Sequence, residues 1–151
     1  VLVATGGQTS AQRLAAYAAS VVPKKPRLVD DKSYYSLLVG INDIAADATV
    51  DSVYSNVITM LRQAVRDGFR AVAFTLPAHN ALSAPQEIVR RQFNDRMRSQ
   101  EARRIYTALI DLGAKFPAWD AALYLDNVHL NPTGNTTVKD LILEKLPVPW
   151  P

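Results

Sequence analysis

The sequence predicts an α/β fold: a three-layer α/β/α sandwich around a parallel sheet of about four strands, flavodoxin-like in outline. Apolar strand-like runs alternate with amphipathic helical stretches, the order that strand–helix–strand units produce. Those runs are apolar at nearly every position, as expected of strands covered on both faces. With 151 residues, 48% of them hydrophobic and 21% charged, the chain has the size and composition of one globular domain with one substantial core.

Taken in order, Val1–Ala4 reads as a strand ending in Gly6-Gly7. Thr9 or Ser10 can cap a helix running to Ala18, with Leu14 and Tyr17 or Ala18 inward, ended before Pro23. Tyr34–Val39 is a nearly continuous apolar strand that runs into the polar turn Gly40-Ile41-Asn42-Asp43. The clearest helix spans Val50 to Asp67. Thr49 is placed to cap it, Val50, Val53, Val57, Leu61 and Ala64 form one stripe, and Gly68 sits where a left-handed terminus belongs. Phe69–Thr75 is the next strand, and it leads to Leu76-Pro77. A long helical stretch is expected from Gln86 to Leu112, broken near Ser99. Residues 114–119 suggest a short edge strand, since Pro117 removes a ladder donor. Pro132 suits the first position of a last helix that turns Val138, Leu141, Ile142 and Leu146 inward.

The net charge of +3 comes from one segment. Residues 90–104 carry Arg90, Arg91, Arg96, Arg98, Arg103 and Arg104 against Asp95 and Glu101, a local +4, which leaves −1 for the rest. Ala102, Ile105, Leu109 and Leu112 form an apolar stripe beside them, so Arg103 and Arg104 face outward on a solvated helix surface. No aromatic residues interleave with these arginines as single-strand binding requires, so no nucleic-acid partner is expected. Zero cysteines exclude disulfides, thiolate nucleophiles and Cys-ligated zinc. No apolar run approaches the length of a membrane span.

In a parallel α/β sheet, ligands bind beyond the carboxyl ends of the strands. Gly6-Gly7 and Gly40–Asp43 both lie at such ends, and Asp126-Asn127-Val128-His129 precedes the last helix, where it can fold over the same edge. An Asp-x-x-His pair gives one loop both a base and the carboxylate that orients it. On its own the pair is equally a surface loop in which Asp126 caps a turn, and Gly40–Asn42 and Gly6-Gly7 are equally ordinary turn chemistry. His79, at another strand end, could line the substrate cleft but reads rather as a surface loop histidine, and Trp119 and Trp150 read as packing residues.

The joint order of these loops resembles the SGNH, or GDSL, hydrolases (esterases and lipases), over nearly the whole chain. The resemblance assigns Gly7, with Gly6 as the fallback, as a backbone oxyanion donor. It matches Gly40-Ile41-Asn42-Asp43 to the family's Gly-x-Asn-Asp block, so that Asn42 supplies a side-chain donor. Asp126 and His129 match its Asp-x-x-His block, with His129 the general base and Asp126 its orienting partner. Gly40 and Asp43 take supporting roles, Asp43 by holding the Gly40–Asn42 turn through its backbone. Neither a metal nor an organic cofactor is implied. The implied substrate is a small-molecule or carbohydrate ester.

The family's first block, Gly-Asp-Ser with the nucleophile, occurs nowhere in the 151 residues. Ser10 stands in the right neighbourhood but reads as a helix cap. In the family that block follows a central strand, whose loss would remove several kcal/mol of apolar burial, comparable to a domain's net stability of about 5–15 kcal/mol. The expectation is therefore an N-terminally incomplete chain with the serine upstream of Val1, active as an esterase in complete form. The alternative is a non-catalytic carbohydrate- or protein-binding module derived from such a hydrolase.

Overall fold

The computed structural model describes residues 6–24 and 33–146. The expected strand Val1–Ala4 and Trp150 lie outside them. Three strands form one sheet in the order β1 (Tyr34–Leu37), β2 (Arg70–Phe74), β3 (Ala108–Ile110), all parallel. Tyr35 faces Ala71 in one register and Val72 faces Ala108 in the other.

The helices cover both faces, as a parallel sheet requires. Successive side chains of β2 point to opposite sides. Ala71 and Ala73 join Tyr35 and Leu37 in a core with helices α1 (Ser10–Ala15), α2 (Tyr17–Ser20), α4 (Val50–Arg66), α5 (Ala84–Arg98) and α6 (Gln100–Arg103). Val72 and Phe74 join Ile110 on the other side, against α7 (Leu112–Lys115) and α8 (Pro132–Lys145). This is the three-layer α/β/α arrangement. None of the helices among the described residues is long and apolar enough to cross a membrane.

The long α4 forms as its sequence dictates. Thr49 accepts the Ser52 backbone N–H at 3.3 Å, and Val53, Val57, Met60, Leu61 and Ala64 are buried along one stripe. Each large apolar side chain so buried contributes about 1.5–3 kcal/mol. Gly68 adopts φ +89° just beyond the helix, a region that favours glycine. In α8, Pro132 and the Asn131 cap start the helix, and Val138, Leu141 and Ile142 pack on the second core.

Four expectations are corrected. The helix from Thr9 is broken at Ala16 into α1 and α2, with Thr9 as the cap through a reciprocal bond with Gln12. The stretch from Gln86 to Leu112 is not helical throughout: α6 stops at Arg103, and Ala108–Ile110 pairs with β2 as a strand. Residues 114–119 form no strand, because Asp111 caps α7 by accepting the Ala114 N–H at 3.1 Å. Gly40–Asp43 is not a free turn but the start of a short helix, α3 (Ile41–Ala45), with Gly40 as its cap.

The arginine segment is also more tightly engaged than a solvated face. Arg90 is 2% exposed. It donates to Glu87 at 2.7 Å and to the Leu76 carbonyl at 2.6 Å. Arg91 pairs with Glu87, Arg96 with Asp51, and Arg98 with Asp95 and Asp111, while Arg103 and Arg104 are exposed.

Candidate active site

Three loops lie along the carboxyl edge of the sheet, the first bonded to the second and the third bonded to the segment after β2. The first is Gly6–Thr9. Gly7 takes φ +75°, a conformation that favours glycine, and its N–H has no acceptor among the described residues. The second is the start of α3 after β1. Asn42 Nδ2 donates to the Gln8 carbonyl at 3.0 Å, which sets the side-chain amide beside the residue that follows Gly7.

Asp43 reinforces that junction, by a route the sequence did not suggest. Its backbone carbonyl accepts the Ala46 and Ala48 N–H groups at 3.1 and 2.9 Å, while its side chain acts elsewhere. Its buried carboxylate accepts the Ser10 N–H at 2.7 Å and the Ser10 hydroxyl at 2.6 Å, so α1 is pinned to α3. Asn56 Nδ2 in turn donates to Ser10 Oγ at 3.0 Å. Ser10 is fully buried with its hydroxyl engaged as donor and acceptor. It is the first residue of α1, not its cap, and is unsuited to be a nucleophile.

Gly40 is required where it stands. It has φ +125°, and a Cβ there would lie 2.9 Å from Val53 Cγ1 and 3.5 Å from Leu76 Cδ1. The end of β1 therefore packs directly on the end of β2. Asn94 holds that second strand end on both sides, accepting the Leu76 N–H at 2.7 Å and donating to its carbonyl at 2.8 Å.

The third loop is held like a tight hairpin. Tyr124 and Leu130 form an antiparallel bridge, Leu125 N donates to the His129 carbonyl at 2.7 Å, and Asn131 N donates to the Leu123 carbonyl at 2.9 Å. Asp126 and His129 occupy its tip. Asp126 Oδ1 accepts the Val128 and His129 backbone N–H groups, each at 2.7 Å. Asp126 Oδ2 lies 2.8 Å from His129 Nδ1. Turn cap and ring partner are thus the same residue, each served by a different oxygen. The His129 backbone N–H, its ring and the Val128 N–H together depress the Asp126 carboxyl to about 2, so it is ionised throughout the neutral range. The His129 side chain is 75% exposed and no described residue bonds its Nε2. Trp119 Nε1 supports the tip by donating to the Asp126 carbonyl at 3.0 Å, and its ring packs on Tyr124.

The segment after β2 is joined to the third loop by Asn80, whose N–H donates to the Asn127 carbonyl at 3.0 Å. The structure thus brings Gly7 and Asn42 together at one junction and Asp126 and His129 together at another, along the same sheet edge. It also places His79 differently from the surface position its loop suggested. The ring is half-buried against Tyr124, its Nδ1 has no hydrogen-bond partner among the described residues, and its charge interacts with His129 and Asp126. Burial exceeds exposure here because Tyr124 arrives from a loop distant in sequence. No group of His, Cys, Asp and Glu suited to hold a metal ion occurs among the described residues.

Comparison with known proteins agrees with this architecture. No curated protein matches the chain significantly. Among solved structures, a putative acylhydrolase from Bacteroides fragilis superposes with a TM-score of 0.75 at 23% identity, covering 92% of this chain and 70% of its own. A catalytic mutant of an acetylxylan esterase from Geobacillus stearothermophilus gives 0.74 at 17% identity, covering 95% and 70%. A GDSL-like lipase from Bacteroides thetaiotaomicron gives 0.70 at 18% identity, covering 91% and 70%. Likeness at these identities establishes the SGNH-hydrolase fold. Membership comes from the sequence itself: residues 1–136 match the GDSL-like lipase/acylhydrolase family model. With that match over most of its length, the chain belongs to the GDSL-like lipase/acylhydrolase family.

Proposed function

We propose that the protein hydrolyses carboxylic esters through an acyl-enzyme, with His129 as general base, Asp126 as its orienting partner, and Gly7 N–H and Asn42 Nδ2 as oxyanion donors. Family membership supports ester hydrolysis as the kind of chemistry. The single observation that carries the assignment is the 2.8 Å contact from Asp126 Oδ2 to His129 Nδ1 in a loop braced on the sheet edge. In this reading the nucleophile is a serine upstream of Val1, and Ser10, the serine beside the Gly7–Asn42 junction, is buried with its hydroxyl engaged.

In this reading, the serine oxygen attacks the ester carbonyl carbon as its proton passes to His129 Nε2. Asp126 fixes the tautomer that leaves Nε2 free and stabilises the resulting imidazolium. Negative charge gathers on the former carbonyl oxygen. Asn42 has two amide hydrogens and uses one on Gln8, so the other remains for that oxygen. Each such donor contributes on the order of 3 kcal/mol to the transition state. His129 then gives its proton to the departing alkoxide, and water cleaves the acyl-serine by the same cycle. Short acyl groups, such as acetate on a sugar or alcohol, suit the short loops around the site.

The test is turnover of p-nitrophenyl acetate by the full protein and its His129→Ala variant, with circular dichroism to verify folding. The variant is expected to lose activity by on the order of 10³-fold or more while remaining folded. Retention of most activity refutes the assignment. A folded full protein that turns over no ester and carries no reactive serine is instead a binding module.

A further inference from the structure

His79 is a half-buried polar group beside the Asp126–His129 loop that the proposed chemistry does not use. Its segment is pinned on both sides. Ala78 N donates to the Phe116 carbonyl at 3.0 Å, and Tyr124 Oη donates to the Ala78 carbonyl at 2.7 Å. Asn80 N donates to the carbonyl of Asn127, the residue directly after Asp126. The His79 ring meets Tyr124 edge-on, with centroids 6.5 Å apart and planes at 71°. Nδ1 is buried and has no hydrogen-bond partner among the described residues.

A neutral imidazole has one N–H and one lone pair. Orphaned buried N–H groups are rarer than under-used acceptors, so the dry Nδ1 is the lone-pair side and the proton sits on Nε2. Burial keeps the ring uncharged, lowering it to about 4. The positive charge of Arg90 and the nearby His129 act in the same direction, and Glu87 and Asp126 act against them. Four charged or titratable groups therefore face His79, and their balance together with burial leaves it neutral at neutral pH. A neutral donor held next to a general base does not compete for the base's proton.

We propose that His79 is a specificity-determining residue whose Nε2–H donates to a substrate oxygen other than the carbonyl under attack, so that the site favours esters of polyhydroxy compounds, such as acetylated saccharides, over esters of plain alcohols. The inference rests on the ester-hydrolase reading. Its occupant needs an acceptor oxygen a few ångströms from the scissile ester, which every neighbouring position of an acylated sugar supplies.

The experiment compares wild-type full protein with His79→Phe and His79→Gln on two substrates, glucose penta-acetate and p-nitrophenyl acetate. Phenylalanine keeps the ring contact with Tyr124 and removes the donor, and glutamine restores an N–H near the Nε2 position. For His79→Phe, KM for the sugar ester should rise roughly tenfold, the weight of one neutral hydrogen bond. Its kcat should change little, because the bond is made equally in ground and transition states. The p-nitrophenyl ester should be turned over almost as before, with an unchanged acid limb, and His79→Gln should recover part of the sugar-ester KM. Equal losses on both substrates, or no loss on the sugar ester, overturn the inference. If the phenylalanine variant does not fold, His79→Ala against His79→Gln gives the same contrast, and equality between them overturns it. Wild-type protein inactive on both esters instead removes the underlying ester-hydrolase reading, and this inference with it.

Discussion

One oxygen of Asp126 accepts two backbone N–H groups, while the other meets the His129 ring. These jobs can be separated. Asn in place of Asp126 keeps an oxygen for the backbone donors but loses the carboxylate that selects the His129 tautomer. For Asp126→Asn we expect a folded protein whose kcat falls on the order of 10⁴-fold at neutral pH. A fall of less than about tenfold would show that the carboxylate only shapes the turn. The pH dependence of the loop follows from the same residue. A carboxyl depressed to about 2 stays charged as pH falls from the usual carboxylate range near 3.8, and its contribution to the loop is lost only through about 2. His79, lowered to about 4, is equally silent near neutrality. Neither Asp126 nor His79 therefore changes charge near neutral pH. The Asp126–His129 pair was legible in the sequence because both partners lie within one short loop. His79 was misread because its burial depends on Tyr124, which only the tertiary fold brings to it. A histidine three residues after Leu76 at a buried strand end was the available signal.

Between elements, the link between α1 and α3 joins the Gly7 loop to the Asn42 turn. Asp43 is 5% exposed and Ser10 fully buried, so neither bond to Ser10 has water to replace it. Asp43→Ala leaves the Ser10 N–H and hydroxyl short of an acceptor, at about 1–3 kcal/mol for each unsatisfied group. The expected outcome is a protein destabilised by about 2–5 kcal/mol in urea unfolding, with reduced ester turnover in the fraction that stays folded. Unchanged stability would show that this link does not hold the loop. The element pattern also marks where sequence reading succeeds. Helix α4 was readable because cap, stripe and terminal glycine agree over 17 residues. Strand β3 was not, because Ala108–Ile110 is three residues long and Ala102, Ile105, Leu109 and Leu112 continue a helix-like spacing through it. That spacing is real as burial, since these side chains do turn inward. It is produced by α6, a turn, β3 and α7 in succession.

Across the whole molecule, the alternation of strands and helices predicts the parallel sheet, and the parallel sheet explains why loops distant in sequence share one edge. Gly40 packs against Leu76 and Val53, Asn42 reaches Gln8, and Asn80 reaches Asn127. Among the described residues, no serine hydroxyl bonds the His129 ring. The central claim is therefore tested most directly by labelling the full protein with a fluorophosphonate probe and mapping the modified peptide. We predict one labelled serine, upstream of Val1, with labelling abolished by His129→Ala. Labelling at a serine within residues 1–151, labelling undiminished by that substitution, or none in the folded protein would contradict the account.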